Sequence, residues 1–374
     1  MVRVCDGSTL PHADKNKVYL LRAYGNSSHE MWDVTDPAKP TRLTVVVSGL
    51  KDTHKNFWEC DTGIAYLVSG LPGWRTDRML QVYDLSNPAE PAFIRNFSLP
   101  GQQPGSTGPI PTALHGAMST GPKGNRLYLG YNGGIIQILD RQKLLNGPKE
   151  PTNENLVYPQ VARIDLPPGV GAHTAYPLMG VDVSEYDKIA SVRTRDFLFV
   201  PGEASDDVCK RLTQMVHIFD ITAETTPVGV ATFNVPEASG NFCTRGGRFG
   251  THSTNENLTP IYYKRIIFVA YFNAGVRAVD VRDPFHPKEI GYYIPAVTDK
   301  TCWLPEVIKY TTTTMTAAER AVVEQQCKAV VQTNNVEVDD RGYIYIVDRA
   351  NTGLHILQLT GPARQVADFS QAAK

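Results

Sequence analysis

The sequence predicts an all-β fold, a β-propeller of six or seven four-stranded blades with one helical insertion. The main observation is a repeat in which a hydrophobic strand ends at an aspartate and is followed by a polar turn and a proline. Clear copies are WDVTDPAKPTRL from Trp32 and VDVRDPFHPKEI from Val279. The aspartates of five copies lie 51 to 80 residues apart, which is typical of repeat architectures that carry insertions. They are Asp33, Asp84, Asp140, Asp220 and Asp280.

Each copy predicts a hairpin with a further strand in front of it. The aspartate side chain accepts hydrogen bonds from the backbone of the turn, and the proline presets the backbone that closes it. The preceding strands are rich in β-branched and aromatic residues, which favours β-structure. Six such strands indicate six units: KVYLL from Lys17, IAYLVSG from Ile64, RLYLGY from Arg126, FLFVPG from Phe197, RIIFVAY from Arg265 and YIYIVD from Tyr343. The innermost strand of the first unit is either Val2 to Cys5 or a segment from the C-terminus.

Composition fits one globular domain over residues 1–374. The chain has 374 residues, of which 42% are hydrophobic and 20% charged. Length alone would suggest two or three domains, but propellers run long as one domain. The formal net charge of −1 gives no indication of nucleic-acid binding, and no apolar run is long enough to span a membrane.

The N-terminal segment lacks the hydrophobic core of a signal peptide. We therefore expect a cytoplasmic protein, or a periplasmic or secreted one if a leader has been removed. Six cysteines permit three disulfides, but in a chain of this length free buried thiols are an alternative of at least equal weight. If one pair forms, Cys302 with Cys327 is favoured because both lie in one insertion.

The largest insertion covers residues 299–333 and contains the clearest helix, TMTAAERAVVEQQCKAVV. Thr316 and Glu319 have the spacing of a capping box, and the alanine-rich run after them has high helix propensity. A helix inside an all-β array is expected to cover a site or a sheet edge.

Four histidines occupy one position in the repeat, at the predicted innermost strand of four blades. Because innermost strands line the channel of a propeller, we expect these histidines to converge near the axis. Neutral imidazoles suit Fe, Cu, Zn or Mn, so the pattern predicts one divalent transition metal as cofactor. The alternative is that each histidine is structural. The sixth unit has Asn334 there, and His12 and His29 fall in predicted polar turns. The predicted ligands are His54, His115, His173 and His252.

Carboxylates and aromatic residues near these strands complete the predicted site. Glu337 and Glu203 are candidates for acid–base catalysis or for orienting a ligand, and Glu59 and Glu256 are further candidates for the orienting role. Cys60 lies six residues from His54 and is a candidate nucleophile, with core packing as the alternative. Glycine-rich nucleotide-binding motifs and the G-x-S-x-G motif are absent. Trp58, Tyr176 and Trp303 are predicted to line a substrate pocket, with core burial as the alternative.

The repeats WDVTDPAKP, YDLSNPAEP and VDVRDPFHP resemble those of LVIVD-repeat β-propeller proteins. The resemblance extends over nearly the whole chain and is closest in the segments from Tyr271 and from Thr333. It implies the fold, because the family is defined by its repeats and includes surface-anchored proteins without a stated activity. Broader relatives are similar to selenium-binding protein and methanethiol oxidase, whose channel histidines bind a metal. Carotenoid oxygenases, with four axial histidines holding Fe(II), are an analogy at the level of the fold.

Together these observations predict a metal-dependent small-molecule enzyme with its active site at the propeller axis. An oxidoreductase is slightly favoured by analogy over a lyase or hydrolase that uses the same histidine-lined pocket. One rival is a non-catalytic binding propeller with structural histidines. Another is a metal-free enzyme with a His/Glu acid–base pair, which would keep its activity in a chelator.

Overall fold

The protein is described by a computed structural model that covers residues 1–185, 193–304 and 315–372. The chain forms two compact units. The first unit holds Met1–Pro168 with Glu224–Thr226, and the second holds Gly169–Ala223 with Pro227–Lys374. Part of the predicted insertion, residues 305–314, lies outside the described residues. In the described ranges, no helix is long and apolar enough to cross a membrane.

The first unit contains three antiparallel sheets of four strands, and each sheet pairs its strands in chain order. The first sheet comprises β1 (Val2–Asp6), β2 (Val18–Tyr24), β3 (Ser28–Asp33) and β4 (Thr41–Val47). The second comprises β5 (Asn56–Trp58), β6 (Ile64–Ser69), β7 (Met79–Asp84) and β8 (Ala92–Phe97). The third comprises β9 (Leu114–Ser119), β10 (Arg126–Tyr131), β11 (Ile135–Asp140) and β12 (Gln160–Asp165). Short helices span Gly121–Gly124, Arg141–Asn146 and Asn153–Val157.

The second unit repeats this plan. Its first sheet comprises β13 (Tyr176–Asp182), β14 (Thr194–Pro201), β15 (Val216–Asp220) and β16 (Val228–Phe233). The next comprises β17 (Phe249–Thr254), β18 (Ile266–Phe272), β19 (Val276–Asp280) and β20 (Lys288–Tyr293). The last comprises β21 (Thr333–Val338), β22 (Ile344–Asp348) and β23 (Leu354–Leu357), and one pair, Phe272 with Thr333, joins it to the sheet before. Helices span Ala317–Glu324 and Gly361–Val366, with 3-10 turns at Glu237–Ser239 and Phe369–Gln371.

The repeated aspartates end the third strand of their sheets, as the sequence predicts. Four of them accept a hydrogen bond from the backbone N–H two residues later, with Oδ1–N distances of 2.8 to 3.1 Å. This contact fixes the turn into the fourth strand. Asp140 differs because no proline turn follows it. It caps the helix Arg141–Asn146 by accepting a hydrogen bond from the N–H of Lys143 at 2.9 Å.

Side-chain alternation buries both faces of the inner sheets. In β6, Ala65 and Leu67 face the core that the second sheet shares with the first. Tyr66 and Val68 point the other way, into the core shared with the third sheet. Since successive side chains of a strand lie on opposite faces, a nearly continuous apolar strand of this kind needs a sheet on each side.

A buried ion pair links the second and third sheets of the first unit. The Arg141 guanidinium donates to both carboxylate oxygens of Glu59, at 2.6 and 2.8 Å. Ser119, Tyr66 and Thr62 also donate their hydroxyls to this carboxylate. Burial opposes ionisation of Glu59, but these donors hold its pKa below the usual value. Glu59 therefore belongs to a structural hydrogen-bond network, and it does not have the predicted role of orienting a metal ligand.

Of the two alternatives for the cysteines, disulfides and free buried thiols, the structure has disulfides. The structure pairs all six cysteines, as Cys5–Cys60, Cys209–Cys243 and Cys302–Cys327. The favoured pair within the insertion is therefore present, together with two that join distant segments. Cys60 is not a nucleophile because its sulfur is bonded to Cys5 of β1. The innermost strand of the first sheet is therefore β1, which contains Val2 to Cys5, and not a segment from the C-terminus.

The capping box of the insertion is confirmed, but its helix is shorter than predicted. Thr316 Oγ1 accepts from the N–H of Glu319 at 3.3 Å, and the Glu319 carboxylate accepts from the N–H of Thr316 at 2.8 Å. The helix ends at Glu324. Two residues in the rest of the predicted helix make other contacts: Cys327 is bonded to Cys302, and Lys328 forms a β-bridge with Trp303.

His29 lies inside β3 and is fully buried, so its prediction as a turn residue is wrong. Within the described part of the chain, neither ring nitrogen has a hydrogen-bond partner. Burial lowers the pKa of His29 to about 3, with a smaller contribution from the positive N-terminus. The unfolded chain therefore takes up a proton near pH 6.5, and the folded chain does not.

We predict that His29 makes the folded state sensitive to acid. A lowered folded-state pKa gives a contribution that is fully present above pH 6.5 and is lost as the pH falls from 6.5 towards 3. Between pH 7 and 5 this loss amounts to about 2 kcal/mol in the free energy of unfolding. Urea titrations should show it in the parent protein and not in His29→Gln. The control is His286→Gln, at an exposed histidine, whose free energy of unfolding should change with pH as that of the parent does. The same pH dependence in all three proteins would contradict the prediction.

Candidate metal centre

The four histidines predicted as metal ligands lie in, or just before, the first strands of four sheets. His115 is in β9 and His252 in β17, whereas His54 precedes β5 and His173 precedes β13. Each compact unit holds two of them, and in each unit the two rings are in contact.

In the first unit, His54 and His115 meet edge to face. Their ring centroids are 4.5 Å apart and their Nε2 atoms 3.0 Å apart. Two nitrogens bound to one metal at about 2.0–2.1 Å in neighbouring positions are themselves about 3 Å apart, so the separation fits a shared cation. It also fits an N–H···N hydrogen bond between neutral rings. It does not fit two protonated rings, whose like charges would repel.

In the second unit, His173 and His252 form a similar pair, with ring centroids 4.4 Å apart. Both side chains are buried, at 2% and 4% exposure. In a neutral imidazole ring, one nitrogen carries the proton and the other a lone pair.

Hydrogen bonds determine which nitrogen carries that lone pair. His252 Nδ1 donates to the backbone carbonyl of Asn334, which is only an acceptor. Thr174 donates its hydroxyl to Glu256 at 2.9 Å, so its oxygen accepts from His173 Nδ1, also at 2.9 Å. Both Nδ1 atoms thus carry the proton, and both Nε2 atoms present a lone pair. This is the tautomer that ligand histidines adopt when a partner orients the other ring nitrogen.

Glu203, predicted as a catalytic residue, lies beside this pair. One of its carboxylate oxygens is 3.7 Å from His252 Nε2 and 3.0 Å from a guanidinium nitrogen of Arg248. Arg248 is 4% exposed and also donates to the carbonyl of Ala204. Its guanidinium lies over the rings of Phe272 and Trp303, at 5.4 and 5.8 Å. Sequence reasoning missed Arg248, because its contact with Glu203 spans 45 residues and has no local pattern.

Glu337, the other predicted catalytic residue, contacts the backbone of another glutamate, Glu256. It accepts from the backbone N–H of Glu256 at 3.2 Å. The Glu256 side chain is 2% exposed and receives the hydroxyl of Thr174, which contacts His173. The Glu256 side chain thus contacts a residue that holds a predicted ligand, and its orienting role stays a prediction.

The three aromatic residues predicted to line a substrate pocket have the contacts of core residues. Trp58 is 5% exposed and donates to the carbonyl of Gly63. Tyr176 is 1% exposed, and burial raises its pKa well above the usual value. Trp303 is fully buried and donates to the carboxylate of Asp207. Contact of these residues with a substrate stays a prediction.

No family model matches the sequence, and no curated protein matches it significantly. Among solved structures, the chain is similar to Raptor from Chaetomium thermophilum, with a TM-score of 0.53 and 11% identity. The match covers 92% of this chain and only 23% of Raptor.

Two further solved structures align at lower scores. The β-propeller domain of Cps50 (Swd1) from Myceliophteria thermophila has a TM-score of 0.47 and 9% identity, over 96% of both chains. Sqt1 from Chaetomium thermophilum, bound to the N-terminus of ribosomal protein L10, has a TM-score of 0.42 and 9% identity, over 91% of this chain and 72% of Sqt1. At such identities the likeness concerns the fold alone. The repeated antiparallel sheets described above are what confirm the predicted all-β propeller fold.

We predict that metal-free His173 and His252 are both neutral with the proton on Nδ1. Long-range proton–nitrogen NMR spectra of the imidazole rings measure this directly. Thr174→Val removes the acceptor of His173 and should shift that ring towards the other tautomer, while leaving His252 unchanged. The matched control is Thr254→Val, since the Thr254 hydroxyl is buried without a hydrogen-bond partner in the described residues. Protons on Nε2 of both rings in the parent protein would contradict the prediction.

Proposed function

We propose that this propeller protein binds one divalent transition metal, Fe, Cu, Zn or Mn, through His54, His115, His173 and His252. The observation that carries the proposal is the contact between two imidazole rings within each unit, with Nε2 atoms 3.0 Å apart in the first. Imidazole nitrogen is a good ligand for all four metals.

The surroundings of the second pair support the same proposal. Protein ligands of a metal are held by outer partners that fix the ring orientation and the tautomer. Thr174 and the Asn334 carbonyl hold His173 and His252 in this way. Glu203, whose charge is balanced by Arg248, adds a carboxylate oxygen 3.7 Å from His252 Nε2.

We further propose that the protein is a metal-dependent enzyme acting on a small molecule. When bound, the metal would supply Lewis acidity or oxygen activation. Glu203, held by Arg248, would accept or deliver a proton next to His252, while Glu337 would act through Glu256 to hold His173. The resemblance to metal-binding propellers related to selenium-binding protein favours an oxidoreductase over a lyase or hydrolase.

A non-catalytic binding protein is the second candidate, and exposed apolar residues favour it. In the first unit, Val2 and Val4 of β1 are both 53% exposed. In the second unit, Leu354 and Ile356 of β23 are 60% and 58% exposed. Exposed apolar patches of this kind mark protein–protein contacts in many soluble proteins.

The three disulfides bear on the compartment in which the protein works. Disulfides persist in oxidising compartments and are rare in the cytosol. We therefore favour a periplasmic or secreted protein over the cytoplasmic location expected from the N-terminal segment.

Metal content of paired variants tests the proposal. We predict about one Fe, Cu, Zn or Mn per chain by elemental mass spectrometry of the purified or reconstituted protein. His54→Ala/His115→Ala and His173→Ala/His252→Ala should each lose nearly all of it, because one ion needs ligands from both pairs. The solvent-exposed His286→Ala is the control and should keep full metal.

Two results would contradict a single shared metal. If each paired variant kept about half of the parental metal, the pairs would be separate sites. If no metal bound even after reconstitution, the histidines would be structural and the binding-protein candidate would be favoured. Circular dichroism of each variant establishes that loss of metal is not loss of the fold.

A further inference from the structure

We propose a second ligand site in the second unit, distinct from the histidines, that binds a small aromatic carboxylate. The site is a cleft of about 580 Å³ lined by residues of β16, β19 and β20 and of the loop that follows β16. It contains three cationic side chains, one carboxylate and three aromatic rings: Arg245, Arg277, Lys288, Glu289, Phe233, Phe242 and Tyr292.

The charge of the cleft favours an anion. Arg277 forms an ion pair with Glu289 at 3.3 Å. In the described part of the chain, no ion pair joins Arg245 or Lys288 to a carboxylate. These two exposed cations therefore give the cleft an excess of positive charge, with side chains available to an incoming carboxylate.

The aromatic rings of the cleft favour a planar ligand. Phe242 lies near two guanidinium groups, with Arg245 at 4.7 Å and Arg277 at 5.6 Å from its ring centroid. Arg277 also lies over Tyr292 at 4.8 Å, and Tyr292 is 66% exposed, which is unusual for so large a ring. An aromatic ligand would cover Tyr292 while its carboxylate met the fork of Arg245.

The loop that carries Phe242 and Arg245 is fixed in place before any ligand binds. The disulfide Cys209–Cys243 anchors it at one point. Asn273 donates to the carbonyls of Phe242 and Gly246, at 2.8 and 2.9 Å. Phe242 also stacks on Phe249, with ring centroids 4.9 Å apart and planes at 12°. A preorganised loop loses little entropy on binding, as expected of a ligand site.

The single carboxylate in the cleft argues for a singly charged ligand. Glu289 holds Arg277, so two cations remain for the ligand. A phosphate would bring more negative charge close to Glu289, whereas one carboxylate matches the planar guanidinium of Arg245. The apolar part of the lining, which includes Val235, Pro236 and Ile294, suits a hydrocarbon ring, and the polar Thr232, Asn234 and Ser239 complete the cleft.

Benzoate is the probe that tests this site. We expect benzoate to bind the chelator-treated protein in ligand-observed NMR and calorimetric titrations, and to bind more weakly at high salt because the attraction is electrostatic. Benzyl alcohol and inorganic phosphate should each bind at least about tenfold more weakly, since one lacks the charge and the other the ring. Arg245→Met and Lys288→Met should each weaken benzoate binding, the first by about tenfold or more.

Two variants make the test specific. Arg364 is an exposed arginine that lies over a phenylalanine ring, Phe369, at 3.7 Å outside the cleft, so Arg364→Met should leave benzoate binding unchanged. Glu289→Gln removes the negative charge of the cleft and should strengthen binding. The proposal is overturned if millimolar benzoate does not bind, or if it binds Arg245→Met as tightly as the parent. Because the protein is free of metal in these titrations, either result is independent of the histidine proposal.

Discussion

A twisted sheet with two apolar faces must be covered on both sides, and the rest of this structure depends on that constraint. The second sheet of the first unit meets it by placing Ala65 and Leu67 against one neighbour and Tyr66 and Val68 against the other. Stacking of successive sheets brings their first strands side by side. Histidines that share a position in the repeat are thereby placed on neighbouring strands, and two rings meet within each unit.

Contacts between neighbouring residues could be predicted from the sequence, and contacts between distant ones could not. An aspartate that accepts the N–H two residues later is a local interaction, so Asp33 and Asp280 marked the strand ends correctly. The capping box at Thr316 is local as well. The ion pair of Arg248 with Glu203 and the carbonyl of Asn334 at His252 join residues 45 and 82 positions apart, and neither has a sequence signature.

Two corrections share a physical cause. Cys5 and Cys60 lie 55 residues apart and meet only because β1 is the innermost strand of the first sheet. His29 is polar and lies near a turn in the sequence, yet it points into the core with Met31 because strand residues two apart share a face. In both cases the environment of a side chain is set by the sheet register, which composition does not reveal.

The histidine pairs relate this architecture to the proposed chemistry. Rings in contact cannot all carry a positive charge, and in the second unit their Nδ1 protons are directed to Thr174 and Asn334. The neutral rings then carry their lone pairs on Nε2, and the Glu203 carboxylate lies near that atom of His252. A fold built from repeated sheets would thus supply the proposed ligands from equivalent strands, without the short spacing of a zinc motif.

X-ray absorption spectroscopy of the metal-loaded protein is the most direct test of the proposed metal centre, because it counts the imidazole ligands around the ion. Coordination by all four histidines predicts a single metal environment with four imidazole nitrogens, at about 2.0–2.1 Å if the ion is zinc. A spectrum with two or fewer imidazole ligands, or with sulfur bound to the metal, would rule out a centre made by all four histidines.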